Sequence, residues 1–256
     1  MGRSFSAKDA EDILERQWKI KQYLAYVAAS PEKYRCEVQV AADEIVMEEV
    51  LKALCEVPMD EIRTGQQGFR FGALVDRGFR TMADVAAVEA KELASTCSIS
   101  NASAQAIKKA VDDVIINTKK WVKVKIDPDE KTDAATKLLA AVSRYSNCLP
   151  VAEKCQKLLD EYGSRIDSSI EQLDPSVSGM GWLFTSAKNR VKAEDAFTLL
   201  NDLFEGDYGK QAHAELFLFE SLNKAEPREA WIEFLLSKDK FINTLKKTVP
   251  ELLLEV

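Results

Sequence analysis

The chain has 256 residues, 46% of them hydrophobic, which is enough to bury a core in one large domain or two small ones. A formal charge of −7 argues against a general nucleic-acid binder, and no apolar run approaches the roughly 18 residues that a membrane-spanning helix needs. The N-terminus lacks the apolar stretch of a signal peptide. Five cysteines (Cys36, Cys55, Cys97, Cys148 and Cys155) form no CxxC pair, and with His213 as the single histidine they make no zinc ligand set. They are expected to be reduced and buried, which goes with a cytoplasmic protein.

In chain order, Ser6 caps a helix expected to reach about Ala29, with Ile13, Leu14, Ile20, Leu24 and Val27 on one side. Ser30-Pro31 begins a second helix, because proline is tolerated at the first helical position. Val38, Ala41, Ala42, Ile45 and Val50 give that helix an apolar stripe to about Glu56. Together they form an N-terminal helical pair over 1–61. Met59 to Thr64 then leads through Gly65-Gln66-Gln67-Gly68 into a second segment, 62–126. Short amphipathic helices alternate there with tight turns at Gly78-Phe79-Arg80 and Thr96-Cys97-Ser98-Ile99-Ser100. Lys120 to Ile126 alternates strictly, which predicts a short extended stretch.

Asp127-Pro128 is expected to start the next helix and a C-terminal helical array over 127–256. One helix ends near Asn147, Pro150 opens another, and Gly163 separates that from 164–173. The clearest break is Asp174 to Gly181. Trp182 to Phe204 reads as one helix ended by Gly206 and Gly209, and helices from about Lys210, Pro227 and Lys238 follow. The pattern predicts an all-α, multi-helix array. It stays amphipathic to Val256, which reads as an internal edge of a longer protein.

Charge is unevenly spread. Residues 1–61 carry 8 Lys/Arg against 13 Asp/Glu, residues 62–125 carry 11 against 6, and residues 126–256 carry 16 against 23. The middle segment is therefore basic in an acidic chain. Its main cluster is Lys108, Lys109, Lys119, Lys120, Lys123 and Lys125. The plainer reading of such a run is a solvated helix face.

Ala90 to Ser95, the turn at Cys97 and Ile99, and a following helix packed back through Ala104 and Ile107 resemble helix-hairpin-helix modules. Such modules grip nucleic-acid backbone without reading bases. The resemblance implies a helix-hairpin-helix-like unit within the array. It also implies that Cys97, Ser98, Ile99 and Ser100 supply backbone amides to a phosphate, while Lys108, Lys109, Lys119 and Lys120 supply charge. One position departs: the family has glycine in the hairpin, free to take positive φ, and this chain has Ser98.

The order of features extends the likeness. Phe69, Arg70, Gly72 to Leu74, Gly78, Phe79, Thr81, Asp84 and Val85 come first, followed by Leu93-Ala94-Ser95 with Ile99-Ser100. Gly181-Trp182-Leu183-Phe184-Thr185-Ser186-Ala187-Lys188 comes last. This order is similar to the N-terminal accessory region of bacterial DEAD/DEAH-box helicases of the Swi/Snf type. The resemblance implies a C-terminal ATPase motor in the same protein, with DNA as partner and no membrane.

Catalytic patterns are missing from the sequence. There is no GxxxxGK[ST], GxSxG, HExxH or GxGxxG, and Gly206 to Lys210 lacks the spacing of a P-loop. His213 on a helix reads as structural. Asp112-Asp113 are adjacent and cannot share a helix face, so they are read as surface residues. Trp182 and Phe184 read as a loop anchor, with base stacking as the alternative. No catalytic residue, metal or cofactor is expected. The expected function is a non-catalytic, DNA-backbone-binding accessory region of an ATP-dependent helicase or translocase. The alternative is a protein-interaction or autoregulatory module that docks on the motor and binds no nucleic acid.

Overall fold

The computed structural model describes residues 4–62, 71–224 and 226–255, apart from the side chains of Gly179 and Met180. The turn at Gly65 to Gly68 and the motif residues Phe69 and Arg70 lie outside the described residues. The fold is all-α. Among the described residues the helices are α1 (Ala7–Cys55), α2 (Gly72–Val75), α3 (Met82–Ala86), α4 (Ala90–Cys97), α5 (Asn101–Lys119) and α6 (Asp133–Leu173). After them come α7 (Gly179–Phe184), α8 (Ala187–Glu205), α9 (Asp207–Leu222), α10 (Pro227–Leu236) and α11 (Lys238–Thr248). Two short strands, β1 (Val124–Lys125) and β2 (Leu254–Glu255), pair in parallel with Val124 opposite Leu254. The alternation read in Lys120 to Ile126 holds there: Val122 and Val124 are buried while Trp121, Lys123 and Lys125 are exposed.

Two expected helix breaks do not occur. Pro31 lies inside α1 and Pro150 inside α6, so the expected helix starts at both prolines are corrected to continuous helices of 49 and 41 residues. An interior proline forfeits one backbone hydrogen bond and crowds the carbonyl four residues back, at about 3 kcal/mol. Leu24, Val27, Tyr34 and Val38 flank Pro31 and are all buried. At about 1.5–3 kcal/mol for each large apolar side chain, their burial outweighs that penalty. Cys148, Val151, Ala152 and Cys155 do the same around Pro150. Gly163 also stays within α6.

Three other expectations shift. The helix expected from Asp127-Pro128 begins at Asp133, because Thr132 Oγ1 accepts from Ala135 N at 3.1 Å and caps it. Asp127 instead accepts from Asp129 N at 2.9 Å in a local turn. The single helix expected over Trp182 to Phe204 is two, since Ser186 has an extended backbone and caps α8 by accepting from Asn189 N at 3.3 Å. Gly209 lies within α9 rather than after a helix, where a Cβ would overlap the carbonyl oxygen of Phe204. Among the cysteines, Cys97, Cys148 and Cys155 are buried, but Cys36 and Cys55 are exposed on outward positions of α1.

The chain divides into two compact units whose boundaries fall inside α1 and α6. One comprises Met1–Glu37 with Ala140–Leu236, the other Val38–Leu139 with Ser237–Val256. The contiguous segments 1–61, 62–126 and 127–256 are a partition along the chain, and packing groups the chain in another way. The first unit's core joins Leu24, Val27 and Tyr34 to Cys155, Leu200, Ala212 and Phe219. Buried and half-buried polar groups cross-link it. Gln17 Nε2 donates to Leu200 O at 2.8 Å, and Asn147 Nδ2 donates to Glu233 at 3.2 Å. Burial pushes the Tyr208 phenol up to about 12. Trp182 packs edge-on against Phe5 at 6.0 Å with the Arg190 guanidinium over its ring at 5.4 Å, so it anchors its loop, whereas Phe184 is 87% exposed. His213 sits edge-on to Phe204 at 5.9 Å.

The second unit is built round one cluster that joins the end of α1 to α2 through α5. Val50, Leu54, Leu74, Val85, Leu93, Ile107 and Val111 are buried together, with Ile99 partly buried against them. Replacing Leu93 by Ala, at a fully buried position, should cost about 2–5 kcal/mol in a urea or guanidinium titration. A change near zero would contradict this core.

Candidate nucleic-acid interface

Helices α4 and α5 are joined by only Ser98, Ile99 and Ser100. Such a connection requires α4 to stop abruptly, and Ser98 does this by taking the left-handed conformation, φ 53° and ψ 41°. The Ile99 N–H then donates back to Ala94 O at 3.1 Å, closing the last turn. Ser100 is extended and starts α5, its Oγ accepting from Ser103 N at 3.1 Å. The Gly78 turn uses the same device. Gly78 has φ 94°, its N–H donates to Val75 O at 3.0 Å, and the Phe79 N–H donates to Leu74 O at 3.0 Å. Thr81 and Asp84 then form a reciprocal capping box at the start of α3. Backbone hydrogen bonds from Met59 N to Arg80 O and from Met82 N to Val57 O, both 3.0 Å, fix this turn to the chain leaving α1. The Asp84 carboxyl is held below its usual value, first by the Thr81 N–H it accepts.

The four residues expected to supply amides are not equivalent. Cys97 is the last residue of α4 and its side chain is buried. Burial pushes its thiol pKa up, opposed by the nearby Arg77 guanidinium. The N–H groups of Ser98 and Ile99 both donate to Ala94 O. Ser100 remains, and with it Asn101 and Ala102, whose amides begin α5 and precede its first available intrahelical carbonyl. Outward donors therefore lie one step further along the chain than the sequence pattern implies. Arg77, from the neighbouring turn, is a cation near this hairpin that sequence reasoning did not single out. The dipeptide pair Arg77-Gly78 and Phe79-Arg80 was the available signal.

The lysines separate into different roles. Lys108 is half-buried, and its Nζ donates to Val85 O at 3.2 Å and Ala86 O at 3.0 Å, so it satisfies the carbonyl end of α3. Lys109 is exposed. Lys119 and Lys120 are exposed at the far end of α5, and Lys120 Nζ donates to Asn117 Oδ1 at 3.1 Å. At about 1.5 Å of rise per residue, Lys119 lies some 28 Å along the helix from Ser100. Arg77 thus lies beside the hairpin through Cys97, Lys109 is about 13 Å along α5 from Ser100, and Lys119 and Lys120 are at the far end.

Among the described residues no helix is long and apolar enough to cross a membrane. No known protein family, curated protein or solved structure matches this chain.

Ser98→Gly should stabilise the chain by about 1 kcal/mol, since glycine takes positive φ without the Cβ clash. A loss in thermal or chemical unfolding would contradict the left-handed assignment. Asp84→Asn should cost about 1 kcal/mol at pH 7. A carboxyl lowered in the folded state stabilises above its unfolded value and loses that contribution as pH falls through the folded one. The difference between parent and variant should therefore shrink below about pH 4, and a pH-independent difference would be the wrong outcome.

Proposed function

We propose that this chain is a non-catalytic accessory region of a cytoplasmic, bacterial, ATP-dependent DNA helicase or translocase, and that it binds DNA backbone without sequence preference. The ATPase motor is the other part of the same protein. One observation carries the reading: the exposed first-turn residues Ser100, Asn101 and Ala102 of α5 follow a left-handed hairpin in the basic segment of an acidic chain. Phosphate would approach the amides of these residues, with Arg77 supplying charge beside the hairpin and Lys109 along α5. Lys119 and Lys120 would meet backbone further along α5.

A second reading has its own support. The amides of Ser98 and Ile99 and the ammonium of Lys108 are engaged within the fold, as expected of a hairpin that is purely structural. That reading makes the chain a protein-interaction or autoregulatory module docking on the motor.

A labelled duplex titrated at two salt concentrations distinguishes the readings. DNA-backbone binding predicts weak, sequence-independent affinity with a log–log salt slope of about −3 to −4. Lys109→Glu with Arg77→Glu should remove most of it while helicity is kept. Lys108→Ala should lower stability by about 1 kcal/mol and leave the salt slope unchanged. Flat titrations at both salt concentrations would retire the DNA-binding reading in favour of the docking module.

A further inference from the structure

We propose that Trp121, Lys123 and Lys125, with Lys119 and Lys120 preceding them, form a platform for single-stranded nucleic acid. This rests on the reading of the unit as nucleic-acid-binding and names a strand class that the duplex-backbone site does not cover. Between Asp113 and Asp127 the chain has four lysines and no acidic residue. Trp121 sits in the turn just after α5, between Lys119-Lys120 and Lys123-Lys125, and is 62% exposed, a large area for an indole.

The register of the lysines that follow it is set by what is buried between them. Val122 and Val124 point inward, and the Val124 N–H donates to Leu253 O at 2.8 Å, pinning the segment to β2's chain. Lys123 and Lys125, at the alternate positions, are exposed, and so is Trp121 in the turn that precedes them. Residues two apart on a strand are about 6.6–6.8 Å apart, so Lys123 and Lys125 can follow an extended phosphate backbone. Lys125 is held by Asp127 at 2.6 Å in an exposed pair that a phosphate can displace. The helix dipole accounts for lysines in the last turn of α5, but it does not account for an outward tryptophan.

An indole face stacks on an unpaired base, whereas paired bases in a duplex do not offer it their faces. A lipid surface needs a broad apolar face. Trp121 is the one exposed apolar side chain over residues 119–125, and the exposed Ile116 and Leu253 near it are flanked by exposed Asn117, Glu251 and Glu255. The geometry therefore favours a strand over a membrane.

The test uses the whole chain, a labelled oligo-dT of about 15 nucleotides, and a duplex of the same length. Trp121→Ala should weaken oligo-dT binding about tenfold to a hundredfold with duplex affinity unchanged. Trp121→Phe should keep most of the affinity but lose the quenching of tryptophan fluorescence by oligo-dT. The phenylalanine variant keeps the test decisive if the alanine variant unfolds. The platform is overturned if oligo-dT does not bind, or binds equally well to Trp121→Ala, or if fluorescence is unquenched in the parent chain. Binding to phosphatidylcholine–phosphatidylserine vesicles without oligo-dT binding would overturn it in favour of lipid. Oligo-dT binding with no duplex binding would retain the platform and retire the duplex-backbone site alone.

Discussion

Two residues held at positive φ, Gly78 and Ser98, are the constraint on which the second unit depends. Ser98 ends α4 at once, Gly78 closes the turn that follows α2, and each leads within three residues into the next cap, at Ser100 and at Thr81. Without these sharp reversals, Leu74, Val85, Leu93 and Ile107 would not converge on one buried cluster. At Gly78 the conformation carries no Cβ penalty. At Ser98 it costs about 1–2 kcal/mol, which the burial of Leu93, Ala94, Cys97 and Ile107 offsets. The unit thus spends core stability on a strained serine at the tip of its candidate binding hairpin.

The same reversals explain what the hairpin can offer a ligand. Closing α4 uses the first two amides of the turn, so the outward donors move to the first turn of α5. Packing α5 against α3 brings the Lys108 ammonium onto the carbonyl end of α3. Charge that looks like a continuous cluster in sequence is consequently divided. Lys108 is structural, Lys109 is exposed midway along α5, and Lys119 and Lys120 lie at the opposite end of a 19-residue helix from the hairpin.

Local signals were legible wherever a side chain acts on its own backbone. The Ser100 cap, the Thr81–Asp84 box and the alternation in Lys120 to Ile126 can all be read from neighbouring residues, and the all-α class follows from their sum. The continuity of α1 and α6 was not legible. Ser30-Pro31 and Pro150 carry genuine helix-start chemistry, and only the burial of side chains on both flanks makes the chain continue through them. The fate of Lys108 was hidden for a similar reason, because its acceptors lie 22 and 23 residues away. The alternation in this run was visible in sequence, but the pairing of β1 with β2 that pins it joins residues far apart along the chain.

The proposed phosphate contact depends on where backbone amides face outward, and amide-resolved NMR of the full chain reads this directly. On addition of a short duplex at low salt, shifts should concentrate at Ser100, Asn101, Ala102 and Lys109, with Ser98 and Ile99 moving little and the whole response fading as salt is raised. Shifts absent from Ser100 to Ala102, or spread evenly over both units with no dependence on salt, would contradict it.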